Sequence, residues 1–514
     1  MWGIGYVNGA NYNNSVLMDG YAAFAASQKV VAMAKDTKLS DTERSLVRAL
    51  EYRYTYPLID IVANPTEGKE QLDMLSAKYE QALEREYKQS NGNTDVAYFY
   101  IEAMMCLRPW KLWEPEPKTG KIDPKTIKIV RLLEEHLKKS PDHPGLCHMY
   151  IHCMELSPTP KKALSVADKL LQGEGLVPAS GHLLHMASHI DMWVGNYQRA
   201  VDGNIRAFEA DQKYVRATGQ TKGVYLAYRM HSLHFLVWAA MFDGQFKTAL
   251  GYAREIEKQL TAKALGGGMA VYLEAFTMTS LMVLIRFGMW KKILQEPIPK
   301  DCEIFAGKVA VTHYARGMAY AALGKVEAAE KEQKLFHQAM MDPLCASRIL
   351  HNNVLVDPVG TVGILNVARP LLGGEIAYRK GEYKRSFELL REAVKRDDSL
   401  PYDEPWGWMQ PARHALGALL LEQKHFKEAK SVFEEDLKKW PKNLWSLRGL
   451  MDCEAGLGNT EIAEKLKVDF TAVSKRLDVE LNAACFCANR ISRKQSCCPS
   501  KKSRKEGKNT LKKS

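Results

Sequence analysis

The sequence predicts an all-α protein, a right-handed solenoid of antiparallel helix pairs, from two observations. Helical periodicity dominates the 514 residues, and no stretch of alternating β-branched residues competes with it. A six-residue pattern close to Gly-x-aromatic-x-x-Ala also recurs along the chain. Its clearer copies begin at Gly195, Gly244, Gly324 and Gly381, and degenerate copies begin at Lys424 and Gly458.

Each position of this pattern has a physical role in a turn between two helices. The glycine ends one helix and reverses the chain, the aromatic side chain packs back on that helix, and the small residue allows close helix–helix approach. The last two copies are 34 residues apart, and the interval before them is 43 residues. Intervals of 34 residues and above with these residue types are typical of tetratricopeptide (TPR) repeats.

Breaks rich in proline, glycine and charge fall at residues 113–126, 296–302 and 357–361. We therefore expect N-terminal helical repeats over 1–126, His-rich TPR-like repeats over 127–260, C-terminal TPR-like repeats over 261–488 and a disordered basic tail over 489–514. Ser40–Glu43 reads as a capping box that opens a helix. Because Met1 leads straight into a WGIGYVNGANYN string, we also expect the N-terminal repeats to be truncated at their start.

Charge and cysteine content narrow the class of protein. The formal net charge is +12, but residues 490–514 hold ten Lys and Arg and one acid, so the remainder is nearly neutral. A neutral body argues against a broad nucleic-acid groove, and any polyanion contact is expected through the basic tail. Ten dilute cysteines do not suit a disulfide scaffold, and no apolar stretch is long enough for a membrane span. We predict a cytoplasmic protein.

Histidines are concentrated in one part of the chain, where eight of the fourteen lie between His143 and His234. Most of them have helical spacing, which places them on shared helix faces. The three sets are His148, His152 and Glu155; His182, His185 and His189; and His231 with His234. Imidazole is the commonest metal ligand in proteins.

These faces predict a mostly buried pocket that holds a divalent metal, zinc or iron. The predicted ligands are His148, His152, His185 and His189, with Glu155 as an acid or base; the residues predicted to support them are His143, His182, His231 and His234. Catalytic zinc needs three protein ligands and an open fourth position, which this set could supply. The alternative is a group of core histidines that bond to backbone and carboxylates. The sequence has no HExxH motif.

A loop rich in acids and aromatics, YDEPWGWMQPAR, begins at Tyr402. In one interpretation it is an inter-repeat loop whose acids cap the next helix. In the other, it forms a rim over the His pocket, with Glu404 as an acid or base, Asp403 supporting it and Arg413 anchoring an anionic substrate. Since a superhelix can bring a later repeat over an earlier one, we predict that this loop covers the pocket.

The segments HPGLCHMYIHCME (143–155) and GHLLHMASHI (181–190) carry a resemblance to a known family. With the opening WGIGYVNGANYN and the loop LPYDEPWGW, the chain resembles a family of uncharacterised, mostly bacterial-type TPR proteins with HPGxxHxxIHxxE and HMxSHI motifs. The matching segments spread over most of residues 1–470. Ala187 and Ala10 stand where that family usually has proline. The resemblance implies a shared fold and a shared His/acid site, without a named reaction.

Two functions follow from the sequence. The first is a TPR-type interaction scaffold that binds a protein or peptide on its concave face and has an internal His-rich, metal-holding pocket. The alternative is a metal-dependent enzyme, hydrolytic or oxidative, that uses the His/Glu cluster.

Overall fold

A computed structural model describes residues 1–13, 19–34, 38–59, 64–357 and 363–488, so the predicted basic tail lies outside the described residues. Helices account for 68% of the structure. Within the described ranges, the only β-sheet is one two-stranded hairpin. The predicted all-α class is confirmed.

Six helices precede the first His-rich segment. They are α1 (Trp2–Val7), α2 (Gly20–Met33), α3 (Asp41–Leu50), α4 (Pro65–Gln89), α5 (Thr94–Met105) and α6 (Pro124–Lys139). Helix α4 packs against α5, and α5 packs against α6. The predicted capping box opens α3: the Glu43 amide donates to Ser40 Oγ at 3.2 Å, and the Ser40 amide donates to the Glu43 carboxylate at 2.8 Å.

The His-rich part contains six α-helices and a short 3₁₀ helix. They are α7 (Pro144–Glu155), the 3₁₀ helix η1 (Pro160–Ala163), α8 (Leu164–Leu171), α9 (Gly181–His185), α10 (Ala187–Val194), α11 (Tyr197–Thr218) and α12 (Gly223–Phe242). Helix α7 packs on α10, α9 packs on both α11 and α12, and α11 packs on α12. These contacts bring the three His-bearing segments next to one another.

The remaining helices form the C-terminal half. They are α13 (Phe246–Gln259), α14 (Ala262–Leu265), α15 (Ala270–Leu273), the 3₁₀ helix η2 (Glu274–Met278), α16 (Thr279–Arg286), α17 (Trp290–Ile293), α18 (Ala306–Ala322), α19 (Val326–Met340), α20 (Pro343–Ala346), α21 (Ile364–Arg379), α22 (Tyr383–Asp398), α23 (Ala412–Glu422), α24 (Phe426–Lys439), α25 (Leu444–Gly456) and α26 (Thr460–Val473). Consecutive helices pair here: α18 with α19, α21 with α22, α23 with α24 and α25 with α26.

The repeated six-residue pattern forms the turns between paired helices. The first residue of every copy has a left-handed backbone, with φ of 76° at Gly195, 74° at Gly244 and Gly324, 64° at Lys424, 80° at Gly381 and 82° at Gly458. Glycine adopts this conformation without strain, whereas lysine does not. The small residues of the pattern are fully buried at Ala200, Ala249, Ala329, Ser386 and Ala429. The pattern therefore marks turns with close helix–helix contact, as predicted.

The β-hairpin lies between α20 and α21. Strands β1 (Ile349–Leu350) and β2 (Asn353–Val354) are antiparallel. His351, in the connecting turn, has a φ of 51°. The Asp403 carboxylate accepts a hydrogen bond from the Asn353 side chain at 2.8 Å and a weaker one from the Asn352 amide at 3.4 Å. These bonds attach the hairpin to the acidic loop.

Two large apolar clusters form most of the core. One contains buried residues between Tyr12 and Ala210, and the other contains buried residues between Met192 and Cys487. Helices α7 and α9 contribute to the first cluster and α12 to the second. The His-bearing helices therefore meet where the two clusters adjoin. The domain boundaries placed at residues 126 and 260 stay predictions.

Among the described residues, no helix combines the length and the apolar character that crossing a bilayer requires.

Candidate metal centre

The second predicted His helix is divided in two at Met186, between α9 and α10. Met186 keeps helical dihedral angles (φ −55°, ψ −32°), so the helical spacing of the histidines carries across the break. His182 and His185 lie on α9, and His189 lies on α10. Since α10 packs on α7 and α9 packs on α12, these side chains face those of the two neighbouring His helices.

The first His trio consists of His148, His152 and His182, and one ligand atom from each lies within 4.8 Å of the other two. The Nε2 atoms of His148 and His182 are 3.0 Å apart. His152 is buried, and its Nε2 has no hydrogen-bond partner among the described residues. His148 and His182 are partly exposed. The trio therefore joins a buried histidine to two that are partly exposed.

The second His trio consists of His185, His189 and His231. His185 Nε2 lies 2.8 Å from His189 Nε2 and 3.0 Å from His231 Nε2. The Nδ1–H of His185 donates to Asn204 Oδ1 at 2.7 Å, an assignment fixed by the Asn204 amide, which donates to the Ala200 carbonyl at 2.8 Å. His185 therefore presents one lone pair on Nε2 to two neighbouring imidazole nitrogens, and it can accept only one N–H.

Glu155 connects the two trios. Its Oε1 accepts from His152 Nδ1 at 2.8 Å, and its Oε2 accepts from His189 Nδ1 at 2.6 Å. The carboxylate is fully buried. Because both rings give their Nδ1–H to this carboxylate, both direct Nε2 away from it, one toward each trio. A carboxylate that holds a histidine in this way is the usual partner of a metal-bound imidazole.

The acidic loop reaches the same place. Glu404 Oε1 lies 3.2 Å from His189 Nδ1, and the Tyr402 hydroxyl donates to Glu404 Oε1 at 2.5 Å and lies 3.1 Å from Glu155 Oε2. His152, Glu155, His189 and Glu404 are all buried, and a ligand atom from each lies within 4.8 Å of the others. This four-residue group is a third candidate arrangement for a metal ion.

Burial lowers the pKa of most imidazoles in the cluster, and neighbouring histidines lower it further, whereas Glu404 opposes this decrease at His152 and His182. The pKa is about 3 for His152 and His182 and well below the ordinary value for His148, His185 and His231. Neutral imidazole is the form that binds metal ions. His189 is the exception: burial lowers its pKa, but the Glu404 and Glu155 carboxylates outweigh burial and raise it to about 10. A metal ion at His189 Nε2 would therefore replace the second ring proton, while Nδ1–H stays with the carboxylates. Burial and the Glu155 charge raise the pKa of Glu404.

Two of the predicted supporting histidines lie outside both trios. His143 caps α7, where its Nδ1 accepts from the Leu146 amide at 3.1 Å. His234 Nε2 contacts Met409 Sδ at 3.1 Å, and its ring stacks on His351. Asp403 is buried and holds the hairpin in place through Asn353. These residues position helices and loops around the cluster.

Arg413, predicted to anchor a substrate, is held elsewhere. Its two terminal nitrogens donate to both Asp398 oxygens at 2.5 and 2.6 Å. Within the described part of the chain, none of its hydrogen bonds or ion pairs reaches the His trios. Arg413 therefore pairs with the Asp398 carboxylate at the end of α22, where the sequence had suggested an anionic substrate.

Four residues at the cluster were not singled out from the sequence: Tyr12, Tyr402, Asn204 and His351. The Tyr12 ring lies 5.2 Å from His152, and burial with the Glu155 and Glu404 charges raises its pKa well above the ordinary value. The His351 ring lies 5.1 Å from that of His231. Tyr12 and Tyr402 lie within the strings GANYN and PYDEP, which were the available signal, whereas His351 has no periodic neighbour.

Comparisons with known proteins do not assign a family. No protein-family model matches the chain, and no curated protein matches it. Similar solved structures include a human IFIT1 dimer with m7Gppp-AAAA (11% identity, 89% of this chain and 87% of that chain, TM-score 0.33) and yeast Tom70 (11%, 83% and 92%, 0.30). A chain of the APC/C Cut9–Hcn1 hetero-tetramer is similar at 10% identity over 88% of this chain and 99% of that one, with a TM-score of 0.27. These likenesses are weak, and the helical-repeat assignment rests on the helix pairs themselves.

The donor set suits a divalent transition metal. In tetrahedral zinc sites the Zn–N distance of about 2.0–2.1 Å places two ligand nitrogens about 3.3 Å apart. The shortest nitrogen separations within the trios are 2.8 and 3.0 Å, and the candidate ligand atoms extend to 4.8 Å. Small side-chain movements would therefore bring three imidazoles onto one ion in either trio. Three ligands leave a fourth position for water or substrate.

Proposed function

We propose that this chain is a helical-repeat protein whose His cluster binds a divalent transition metal, zinc or iron. The observation that carries the proposal is the contact of His185 Nε2 with His189 Nε2 and His231 Nε2 at 2.8 and 3.0 Å, while Asn204 accepts the Nδ1–H. Facing lone pairs repel, and one proton can relieve only one of the two contacts. A cation between the rings makes every nitrogen a favourable ligand.

Metal content of the purified full-length chain tests this proposal. We expect stoichiometric zinc or iron after dialysis against metal-free buffer, and a lower metal content in His185→Ala. The matched control is His425→Ala, because His425 is exposed and lies outside the cluster. A wild-type chain that retains only trace metal, even after incubation with Zn²⁺ and Fe²⁺, contradicts the proposal.

A metal-dependent enzyme is the second candidate, supported by the partial exposure of His148, His182 and His231. In this candidate function, solvent or substrate approaches each trio from the side of its partly exposed histidines. A three-histidine site with an open position suits hydrolysis with zinc or oxidation with iron. Glu404, hydrogen-bonded to Tyr402, is the residue we assign as general acid or base.

Glu404→Gln separates catalysis from simple metal storage. In an enzyme, this variant keeps its metal but loses about 10²–10⁴-fold in turnover, the usual contribution of a general acid or base. The measurements are hydrolysis of chromogenic esters and phosphoesters by the zinc form and oxygen consumption by the iron form. Glu464→Gln, an exposed carboxylate on α26, is the control. Absence of turnover in both metal forms of the wild type favours a scaffold.

The repeat pattern further supports a protein or peptide partner on the concave face, and the basic tail supports contact with a polyanion. Membership in the bacterial-type TPR family, supported by the two His motifs, and a cytoplasmic location complete the proposal. Pull-down of a defined partner by the wild type, and not by a chain with charge reversals on the concave face, tests the scaffold role.

A further inference from the structure

We infer that the cluster holds two divalent metal ions, one in each His trio, and that the Glu155 carboxylate couples them. The inference rests on the proposed metal function and specifies its stoichiometry and ligands. The first ion takes His148, His152 and His182, and the second takes His185, His189 and His231. Neither ion needs a carboxylate as a direct ligand.

The ring nitrogens of His152 and His189 carry this assignment. Each ring has two nitrogens, and in both rings Nδ1 donates to Glu155, at 2.8 and 2.6 Å. Each ring therefore offers only Nε2 to a metal. The two Nε2 atoms belong to different trios, and the centroids of the two rings are 5.3 Å apart. Two ions, one in each trio, would bind the Nε2 atoms of both His152 and His189. A single ion in one trio would bind only one of these two atoms.

The competing arrangement is a single ion in the four-residue group of His152, Glu155, His189 and Glu404. That ion would take Nδ1 of both rings and would replace the two hydrogen bonds to Glu155. It would also leave the 3.0 Å contact between His148 Nε2 and His182 Nε2 and the short contacts of the second trio without a cation. The two-ion arrangement uses every one of these contacts.

The negative charge of Glu155 supports its place between the two ions. Glu155 is fully buried, and its two oxygens point to different rings, one from each trio. Its negative charge reduces the repulsion between two dications, and its hydrogen bonds make both imidazoles stronger donors. Glu404 adds a second carboxylate on the same side, at 3.2 Å from His189 Nδ1.

His148 and His231 distinguish the two arrangements, because each belongs to one trio and neither belongs to the four-residue group. The full-length chain is stripped with a chelator and titrated with Zn²⁺ in competition with a chromophoric chelator. We expect two equivalents for the wild type, one for His148→Gln, one for His231→Gln and none for the double variant. His425→Gln, at an exposed site, keeps two. Circular dichroism checks that each variant is folded.

Glu155→Gln adds a readout of the coupling. Loss of such a supporting carboxylate lowers metal affinity by about 10–100-fold. We expect this decrease at both trios in the one variant, whereas each trio variant affects a single equivalent. Native mass spectrometry of the zinc-loaded wild type counts the ions independently, so the inference stays testable if a variant does not fold.

The contradicting results are specific. One equivalent that survives both trio substitutions and is lost in Glu404→Gln assigns a single ion to the four-residue group and overturns this inference, while the proposed function stands. One equivalent lost in only one trio variant overturns it as well. A wild-type chain that binds no Zn²⁺ overturns the proposed function itself.

Discussion

The side chains of Asn204 and Glu155 determine which ring nitrogen three of the cluster histidines direct toward the trios. Asn204 accepts from His185 Nδ1, and Glu155 accepts from His152 and His189. In each case Nδ1–H is occupied and Nε2 is left to a neighbouring histidine or a metal ion. Which ring nitrogen can bind a metal is set by the hydrogen bond that the other nitrogen makes, so these acceptors leave Nε2 as the available nitrogen in all three rings.

Asn204→Leu tests this control of the ring. The variant removes the acceptor of His185 Nδ1 and keeps a similar side-chain volume, so the imidazole is free to rotate or change tautomer. We expect zinc affinity at the second trio to fall about 10–100-fold, with the first trio unchanged. Competition titration measures both, and Gln220→Leu, at an exposed amide, is the control. Equal affinity in variant and wild type would show that Asn204 has no part in the site.

Glu274 provides a pH-dependent prediction away from the cluster. Burial raises its pKa from 4.5 to about 7, although the Lys308 amide donates to it and the Arg348 charge lowers the pKa. Between these pH values the unfolded chain loses a proton that the folded chain keeps. The free energy of unfolding therefore falls as pH rises through this window and is level above it.

Glu274→Gln should remove that dependence, so that the variant gains up to about 3 kcal/mol on the wild type between pH 4.5 and 8. Urea unfolding at several pH values measures the difference. Glu464→Gln, at an exposed site, should follow the wild type. Parallel pH profiles for Glu274→Gln and the wild type would mean that Glu274 ionises freely in the folded chain.

Among the elements, the turn between α23 and α24 departs from the repeat pattern. Lys424 takes the position that glycine holds in the five other copies, with a φ of 64°. Lys424→Gly should raise the free energy of unfolding by about 0.5–1 kcal/mol, because glycine adopts this conformation without steric cost. Lys427→Gly, three residues on and inside α24, should lower it by about 1 kcal/mol. Destabilisation by both changes, measured by urea unfolding, would contradict this account of the turn.

The β-hairpin and the acidic loop form a second kind of element, one that links distant repeats. Asp403 bonds to Asn353, and the hairpin turn places His351 beside His231. Strands of two residues carry no alternation that a sequence can display, so the hairpin was not predicted. The short length of the strands, and not a weak β-propensity of their residues, is the reason.

For the whole molecule, local periodicity predicted the helix pairs and the His faces, because both depend on spacings within a few turns of helix. The contacts of Glu155 with Tyr402 join residues 247 positions apart. Such contacts depend on the cumulative rotation of many repeats, which one sequence does not contain. The sequence therefore predicted that the loop covers the pocket, but not that Tyr402 bonds to Glu155. Arg413, in the same stretch, donates its hydrogen bonds to Asp398 instead.

Metal binding should stabilise the whole chain if the ions bind the folded state. At a free zinc concentration 100-fold above Kd, each site adds about 2.7 kcal/mol to the free energy of unfolding. We expect Tm to rise by several degrees when zinc is added to the metal-free chain. The rise should shrink in His148→Gln and vanish when His231→Gln is combined with it. An unchanged Tm in the wild type would contradict binding to the folded cluster.

X-ray absorption spectroscopy at the metal edge of the loaded full-length chain tests the central claim most directly, because it reports ligand type and distance together. The account predicts nitrogen or oxygen neighbours at about 2.0–2.1 Å from zinc, with the outer scattering pattern of imidazole rings. Sulfur neighbours at about 2.3 Å would assign the metal to cysteines, and a spectrum without imidazole scattering would remove the His trios from the site.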